Sequence, residues 1–377
     1  MTVTPKNEAG DSRLTLLDGS RLIVEASARA GADVYVGYPI TPANLVYAYS
    51  SARLPAVLPA PDEISALQWM SGLSAAGHLP MTATSFPGFA LMIESLNMAC
   101  MMELPMLVVL VQRLGPATGT ATAGAQGDLW LLHGIISGGY PLPVFCIASL
   151  EDCWRLPPLA LQTAIDLRTP VVLLTSKEMV MTLSSFDLAR LDEVNSVKRE
   201  YYQGESPYAS YAPGANKVPA FLPVGDGRNQ VRLNASTHDM QGILRHTTSE
   251  SLANTRRLQE KVEAGTPVLY ELDEDRDART LLVTYDVTSG AGRAAVASLR
   301  RDGIPVSSLV TRTLLPIPQV YYEILGRYPR LVFAEENLQG QYARLLFGHS
   351  LPDHVTVIGE VGKMIRPEQI VEIVKSA

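Results

Sequence analysis

Short apolar runs alternate with helix-periodic segments along the first half of the chain. The runs DVYVGY, MTATS, MLVVLVQ, VFCIAS and PVVLLTS are nearly continuous in apolar or small residues, as is typical of strands buried on both faces of a sheet. Segments with helical spacing, EISALQWMSGLSAAG and PGFALMIESLNMACMM, lie between them. Helical crossovers make such strands parallel. The pattern predicts a doubly wound parallel α/β domain over residues 17–182, preceded by an N-terminal tail at residues 1–16.

The alternation stops and later resumes. Residues 183–278 are rich in Pro, Gly, Tyr, Asn and Ser and end in a charged, helix-like run, TSESLANTRRLQEKVEA. A long stretch without clear elements is typical of a connector or a functional loop, and we interpret it as a connector between domains. From residue 279 the runs TLLVTYD, GRAAVASLRRDG, IPVSSLVT and RLVFAEE predict a second, smaller α/β domain over residues 279–377.

Composition narrows the functional class. The chain has 377 residues, 47% of them apolar, which is enough for two packed cores. A net charge of −7 without any block of Lys or Arg argues against nucleic-acid binding. The most apolar run contains Glu103 and Pro105 and is too short to cross a membrane, and the polar N-terminus does not resemble a signal peptide. We expect a cytoplasmic protein.

Metal and nucleotide motifs are weak in this chain. Its three cysteines include no C-x-x-C pair and its six histidines are scattered, so we expect no metal or iron–sulfur site here. The GDG at residues 225–227 and the glycines of TYDVTSGAGRAA lack the partner residues of the thiamine-diphosphate and Rossmann motifs. We interpret both as turns.

The loops that follow the strands deserve most weight, because ligands of open α/β sheets lie at the carboxyl ends of the strands. After the first strand, GYPITPAN places Thr41 between two prolines, which fixes the hydroxyl on a stiff loop. The alternative is a helix entry with Thr41 as N-cap and Pro42 at the first helical position. Spacing alone favours this alternative.

Three further loops carry candidate residues. In PAPDEISAL, Asp62 is placed to cap a helix, and Glu63 either sits in the first turn for its dipole or faces a ligand. In TATSFPGFALM, Ser85 and Phe86 open a helix whose free N–H groups suit ligand oxygens, although Phe86 also fits a core position. In VQRLGPATGTATAGAQGD, Arg113 is suited to clamp a carboxylate or to form a surface ion pair, and the many small residues favour function.

Taken together and in this order, these loops resemble one family. GYPITPAN, DEISAL, the long segment from TATSFPG to AGAQGD, and STHDMQG are similar to the α subunit of the 2-oxoacid:ferredoxin oxidoreductases, the 2-oxoglutarate synthase type in particular, a family that includes pyruvate:ferredoxin oxidoreductase. The resemblance runs from about residue 18 to the C-terminus. The segments LLPIP, VFAEENLQGQ and EVGKMIRPEQI resemble the family's transketolase C-terminal-like domain.

The resemblance implies a fold, a reaction and partners. The first domain would be the pyrimidine-type thiamine-diphosphate domain. A β subunit would carry the thiamine diphosphate, its Mg²⁺ and a [4Fe–4S] cluster, in an α2β2 assembly. The reaction implied is oxidative decarboxylation of a 2-oxoacid to acyl-CoA and CO₂, with coenzyme A as co-substrate and ferredoxin as electron acceptor.

The resemblance also implies residue roles. Thr41 would hydrogen-bond the 2-oxoacid and Arg113 would bind its carboxylate. Glu63 would hydrogen-bond a ring nitrogen of the cofactor's aminopyrimidine and so promote its activation. Further cofactor contacts would come from the remaining matched loop positions, Pro39, Ile40, Ser85 and Phe86.

Three departures from the family's pattern bear on the substrate. This chain has YPITPAN for YPITPSS, TSFPG for TSGPG, and LGPATGTATAGAQGD for GGPSTGLPTKTEQGD. A phenyl ring at Phe86 and the loss of polar residues lead us to expect a smaller or more apolar acyl group than that of 2-oxoglutarate. Two alternatives stay open: a non-catalytic scaffold subunit, and a specialised biosynthetic thiamine-dependent decarboxylase that binds the cofactor by itself.

Overall fold

A computed structural model describes residues 14–204 and 207–376 of the chain. The strands of this part, in chain order, are β1 (Leu14–Leu17), β2 (Val34–Gly37), β3 (Ala56–Pro59), β4 (Pro80–Thr84), β5 (Met106–Gln112), β6 (Val144–Cys146), β7 (Pro170–Ser176), β8 (Ser184–Asp187), β9 (Tyr270–Asp273), β10 (Thr280–Thr284), β11 (Ser307–Thr311), β12 (Thr313–Leu315), β13 (Arg330–Glu335) and β14 (Val355–Gly359).

The same part contains one short 3₁₀ helix, Leu188–Arg190, and the α-helices that follow. In chain order they are α1 (Gly19–Ala30), α2 (Asn44–Arg53), α3 (Glu63–Ala75), α4 (Phe86–Leu91), α5 (Ile93–Met101), α6 (Leu129–Gly134), α7 (Asp152–Leu167), α8 (Lys177–Met181), α9 (Ser249–Gly265), α10 (Thr288–Arg301), α11 (Gln319–Leu325), α12 (Gln341–Phe347) and α13 (Pro367–Lys375). The predictions of no signal peptide and of a tail at residues 1–16 fall mainly on residues 1–13, which lie outside the described residues.

The first half of the chain forms the doubly wound sheet that the pattern predicts. Its seven strands have the order β12-β6-β7-β5-β4-β2-β3, and every neighbouring pair is parallel except β12 with β6. The central strands β5 and β7 pair over their whole length and are buried at every residue. Helices pack on both faces, and the core divides into two apolar clusters.

The second unit is a five-stranded sheet with the order β14-β13-β10-β11-β9, antiparallel only where β9 pairs with β11. Helices α10 and α13 pack together against it. Its fold is not self-contained, because Thr313 and Leu315 of β12 pair with Phe145 and Val144 in the first sheet. The boundary predicted at residue 279 therefore precedes a strand that returns to the seven-stranded sheet.

The segment interpreted as a connector packs closely against the first unit. The buried Arg168 donates to the backbone carbonyls of Ser210 and Ala220 at 3.0 Å each. From α9, Arg257 forms a buried ion pair with Glu103, which lies just before β5. Among the described residues, no helix is both long and apolar enough to cross a lipid bilayer.

Candidate active site

The carboxyl edge of the first sheet collects the predicted site residues. Thr41 follows β2, Ser85 follows β4 and Arg113 follows β5, and these three strands are neighbours in the sheet. The chain runs outward from β2 to β3 and then crosses back to β4 on the other side of β2. This reversal of strand order is the point at which open α/β sheets form ligand crevices.

Thr41 and Arg113 are brought into direct contact. The Arg113 guanidinium is buried and donates from Nη1 to the Thr41 backbone oxygen at 2.6 Å. The predicted alternative of Thr41 as helix N-cap is wrong, since α2 begins at Asn44 and follows Ala43. The Thr41–Pro42 peptide bond is cis, and the loop is held by Arg113 instead of by a helix cap.

The Arg113 guanidinium has a donor group that is available to a ligand. Its Nε is buried and has no hydrogen-bond partner among residues 14–204 and 207–376. Burial lowers the pKa of this guanidinium. The group nevertheless stays charged, because arginine is not deprotonated in proteins. The alternative of a surface ion pair is wrong, since Arg113 is buried and forms no ion pair within the described part of the chain.

Glu63 lies on the first turn of α3, and the predicted cap is confirmed. Asp62 Oδ1 accepts a hydrogen bond from the Ser65 amide at 2.7 Å, which fixes the start of the helix. Glu63 is only 5% exposed, and no side chain of the described residues hydrogen-bonds its carboxylate. Burial, and to a smaller extent the neighbouring Asp62 charge, raises the pKa of Glu63.

The turn between β4 and α4 is shaped to receive Glu63. A Cβ built on Gly88 would collide with the Glu63 carboxylate and with the Thr84 hydroxyl, so a larger residue there would displace these side chains. Ser85 precedes α4, and its buried hydroxyl lacks a hydrogen-bond partner in the part of the chain that the structure describes. The carboxylate and the hydroxyl are two polar groups available to a ligand.

The remaining predicted positions are less enclosed. Phe86 is the first residue of α4 and is half-buried, so it does not belong to the core clusters. Pro39 is exposed, while Ile40 packs against the apolar cluster that contains Val46 of α2. The structure therefore brings Thr41 to Arg113 and Glu63 to the Thr84–Gly88 turn, with Pro39 at the rim.

Asp128 is a candidate that the sequence did not single out. It is 5% exposed, and its Oδ2 has no hydrogen-bond partner in the described ranges. Burial raises the pKa of Asp128 to about 7, opposed only in part by the Arg113 charge. Its position at the end of the AGAQGD segment was visible in the sequence, but its burial against Arg113 was not.

The loop between Arg113 and Asp128 connects the two sheets. Gln126 donates from Nε2 to the backbone carbonyl of Tyr285 at 2.7 Å and accepts at Oε1 from the backbone amide of Glu336 at 2.6 Å. Tyr285 follows β10 and Glu336 follows β13, so both lie at the carboxyl edge of the second sheet. The second unit thus fixes the loop that carries the site's arginine.

Comparison with known proteins shows which family this chain is similar to. Residues 25–255 match the family model described as pyruvate flavodoxin/ferredoxin oxidoreductase, thiamine diP-bdg. The chain is 30% identical to the 2-oxoglutarate oxidoreductase subunit KorA of Mycobacterium tuberculosis, covering 94% of this chain and 55% of that protein. It is also 30% identical to the ketoisovalerate oxidoreductase subunit VorB of Methanothermobacter thermautotrophicus, covering 80% of each.

A solved structure agrees with the whole architecture. The 2-oxoglutarate:ferredoxin oxidoreductase from Magnetococcus marinus, solved with 2-oxoglutarate, coenzyme A and succinyl-CoA bound, superposes with a TM-score of 0.90 at 26% identity, covering 98% of this chain. The chain spans 66% of that solved chain and 55% of the Mycobacterium relative. The predicted fold class, a thiamine-diphosphate-binding-type sheet followed by a smaller transketolase C-terminal-like unit, is confirmed.

Proposed function

The chain belongs to the pyruvate flavodoxin/ferredoxin oxidoreductase family, and on this premise we propose that it is the α subunit of a thiamine-diphosphate-dependent 2-oxoacid:ferredoxin oxidoreductase. The observation that carries the proposal is the placement of Thr41, Glu63 and Arg113 around the switch point of the seven-stranded sheet. The proposed reaction oxidatively decarboxylates a 2-oxoacid to acyl-CoA and CO₂ and reduces ferredoxin.

The site fits the aminopyrimidine end of thiamine diphosphate. Glu63 presents a buried carboxylate to which no described side chain bonds, and the absence of a Cβ at Gly88 lets this carboxylate pack against the start of α4. When bound, the cofactor supplies the electron sink for decarboxylation. Glu63 would hold a proton between its carboxylate and a ring nitrogen, and its raised pKa suits this exchange. Ser85, Phe86, Pro39 and Ile40 would complete the pocket wall.

Arg113 and Thr41 would orient the substrate. Arg113 is a fixed, buried cation whose Nε is unused, so it can donate to a carboxylate. The same guanidinium holds the Thr41 backbone, so the Thr41 hydroxyl would lie beside the bound acid. One edge of the sheet would then hold both the substrate and the cofactor. Holding reactants in the correct orientation accounts for a large part of enzymatic acceleration.

The partners follow from the family. We propose that a β subunit supplies Mg²⁺, the diphosphate contacts and a [4Fe–4S] cluster, in a cytoplasmic α2β2 assembly that uses coenzyme A as acyl acceptor. Within this chain we propose functional divisions at residues 17–182, 183–278 and 279–377. The relatives named for 2-oxoglutarate and for ketoisovalerate support a 2-oxoacid substrate without selecting one. Phe86 and the small-residue loop favour a smaller or more apolar acid.

The test is reconstitution with the cognate β subunit. The purified complex is assayed for reduction of a low-potential dye with pyruvate, 2-oxoisovalerate and 2-oxoglutarate, each with and without coenzyme A. We expect turnover that requires a 2-oxoacid and is highest with one of the two acids that have apolar side chains. A stable complex that is inert toward all three acids would refute catalysis and favour the scaffold role. Cofactor binding and decarboxylation by the isolated chain would instead favour the self-sufficient decarboxylase.

A further inference from the structure

A cavity lies at the edge of the first sheet opposite to the candidate active site. It has a volume of about 390 Å³ and is lined by the end of α5, by α9 and by the segments that precede β6 and β7. Thr169 and Pro141, the residues that lead directly into β7 and toward β6, form part of its wall. The cavity is therefore at the amino edge of the sheet, away from Thr41, Glu63 and Arg113.

The lining of this cavity combines apolar and polar residues and carries two charged groups, the buried Lys261 and the exposed Glu94. Met98, Met101 and Leu258 supply apolar surface, and Cys100 contributes a half-buried thiol. Lys261 of α9 also lines the cavity, and its side chain is only 1% exposed. A cavity of this size that joins apolar surface to polar groups is typical of sites for small organic ligands.

The ammonium of Lys261 has a donor to spare. Its Nζ donates to Glu103 Oε2 at 2.7 Å and to the Arg168 oxygen at 2.9 Å. An ammonium carries three N–H groups, so one remains after these two bonds. Among the hydrogen bonds of the described residues, no third acceptor takes it. The remaining donor belongs to a buried group on the cavity wall.

The surroundings of Lys261 carry an excess of positive charge. Glu103 is the carboxylate that Lys261 and Arg257 share, and Arg168 is a third cation close enough to act on it. Three cations against one carboxylate leave two positive charges without a counter-ion in this buried cluster, since Glu94, the other carboxylate on the cavity lining, is exposed and forms no ion pair among the described residues. Buried charge without compensation is costly, so an anion that enters the cavity is stabilised.

We propose that this cavity binds a small monocarboxylate with an apolar tail. The carboxylate accepts the unused Lys261 donor, and the tail lies against Met98, Met101 and Leu258. The inference does not depend on the proposed enzymatic function, because it rests on residues at the other edge of the sheet.

Isothermal titration of the full chain with hexanoate and with 1-hexanol tests the proposal. Both ligands have the same tail length, so their comparison isolates the carboxylate. We expect hexanoate to bind at least about tenfold more tightly than hexanol, since a hydrogen bond to a charged group contributes more than a neutral one. Lys261→Met should remove this preference while hexanol still binds. Equal affinities for the two ligands in the native chain, or no binding of either, would overturn the proposal.

A second pair of variants locates the site without altering the ion cluster. Leu258→Trp fills the cavity from α9, and Leu252→Trp, at an exposed position on the same helix, is its matched control. We expect Leu258→Trp to lose hexanoate binding and Leu252→Trp to keep the native affinity. Hexanoate binding that survives Leu258→Trp would place the ligand elsewhere and refute the site.

Discussion

At the scale of single residues, the candidate site contains a carboxyl group that holds its proton to a higher pH than carboxyls usually do. Asp128 is buried near Arg113, and its pKa is raised to about 7. When Asp128 is ionised, it compensates the charge of Arg113, the residue that we propose to bind the substrate's carboxylate. A protonated Asp128 leaves this cation available.

Asp128→Asn should therefore change how stability depends on pH. The raised pKa means that the stability associated with the native carboxyl is complete below about pH 4 and is lost as the pH rises through about 7. The variant, which is neutral at every pH, should gain on the order of 1–3 kcal/mol relative to the native chain between pH 5 and pH 8.5. Urea unfolding of both proteins at pH 5 and pH 8.5 measures this gain. If the difference in free energy of unfolding between variant and native chain is the same at both pH values, Asp128 does not titrate in this range.

Phe86 is the residue whose replacement should alter substrate choice. It is half-buried at the start of α4, next to the orphaned Ser85 hydroxyl. Phe86→Gly should raise kcat/KM for 2-oxoglutarate relative to 2-oxoisovalerate by about tenfold, because removing a ring from a pocket wall makes room for a longer side chain. Phe86→Leu, which keeps most of the volume, is the control. Equal ratios in both variants and the native enzyme would remove Phe86 from the specificity pocket.

At the scale of elements, the approach of α4 to α3 sets the position of Glu63. Gly88→Ala should lower kcat by about tenfold or more, since the added Cβ meets the Glu63 carboxylate and the Thr84 hydroxyl. Gly72→Ala is a matched helical control, because a Cβ there meets no atom within 4 Å. It should leave kcat unchanged and stabilise α3 by about 0.5–1 kcal/mol. The account of this turn fails if Gly88→Ala keeps the native kcat.

Sequence predicted the elements whose pattern is local. The continuous apolar runs of β5 and β7 and the capped start of α3 are confirmed. The short, half-exposed edge strand β3 lies between prolines and carries no alternation to recognise. The pairing of β12 with β6 joins residues far apart in the chain, so no local pattern could indicate it.

The candidate site was also predictable only where its residues follow a local sequence pattern. The rule on strand ends placed Thr41 and Arg113 at one edge, and the structure agrees, whereas Glu63 follows β3, a strand that the sequence did not reveal. The N-cap interpretation of Thr41 was wrong because a proline spacing cannot reveal that α2 starts at Asn44 or that Arg113 holds the loop. The burial of Asp128 depends on tertiary packing, which the sequence does not display.

At the scale of the whole molecule, the loop between Arg113 and Asp128 connects the two sheets through hydrogen bonds. Gln126 is fully buried and bonds backbone groups of the second unit at Tyr285 and Glu336. The loop that carries Arg113 is therefore fixed by packing between the units.

Gln126→Ala should destabilise the chain by about 1–3 kcal/mol, because it leaves the buried Glu336 amide without its acceptor, while the Tyr285 carbonyl keeps a second donor in the Thr288 hydroxyl. Gln162→Ala, which removes solvent-exposed bonds to Asp166 and Lys198, is the control and should cost less than about 1 kcal/mol. Equilibrium unfolding in urea compares them. Equal losses for the two variants would show that Gln126 does not connect the units.

The central claim is that the Glu63 carboxylate takes part in the chemistry of a thiamine-diphosphate site. The most direct measurement is kcat for 2-oxoacid-dependent dye reduction by the complex carrying Glu63→Gln, compared with Asp62→Asn. Both changes remove one carboxylate at the start of α3, and asparagine still caps the helix. We predict a loss of about 10²–10⁴ for Glu63→Gln and a change within about twofold for Asp62→Asn. Native turnover by Glu63→Gln, or equal losses in both variants, would contradict the account.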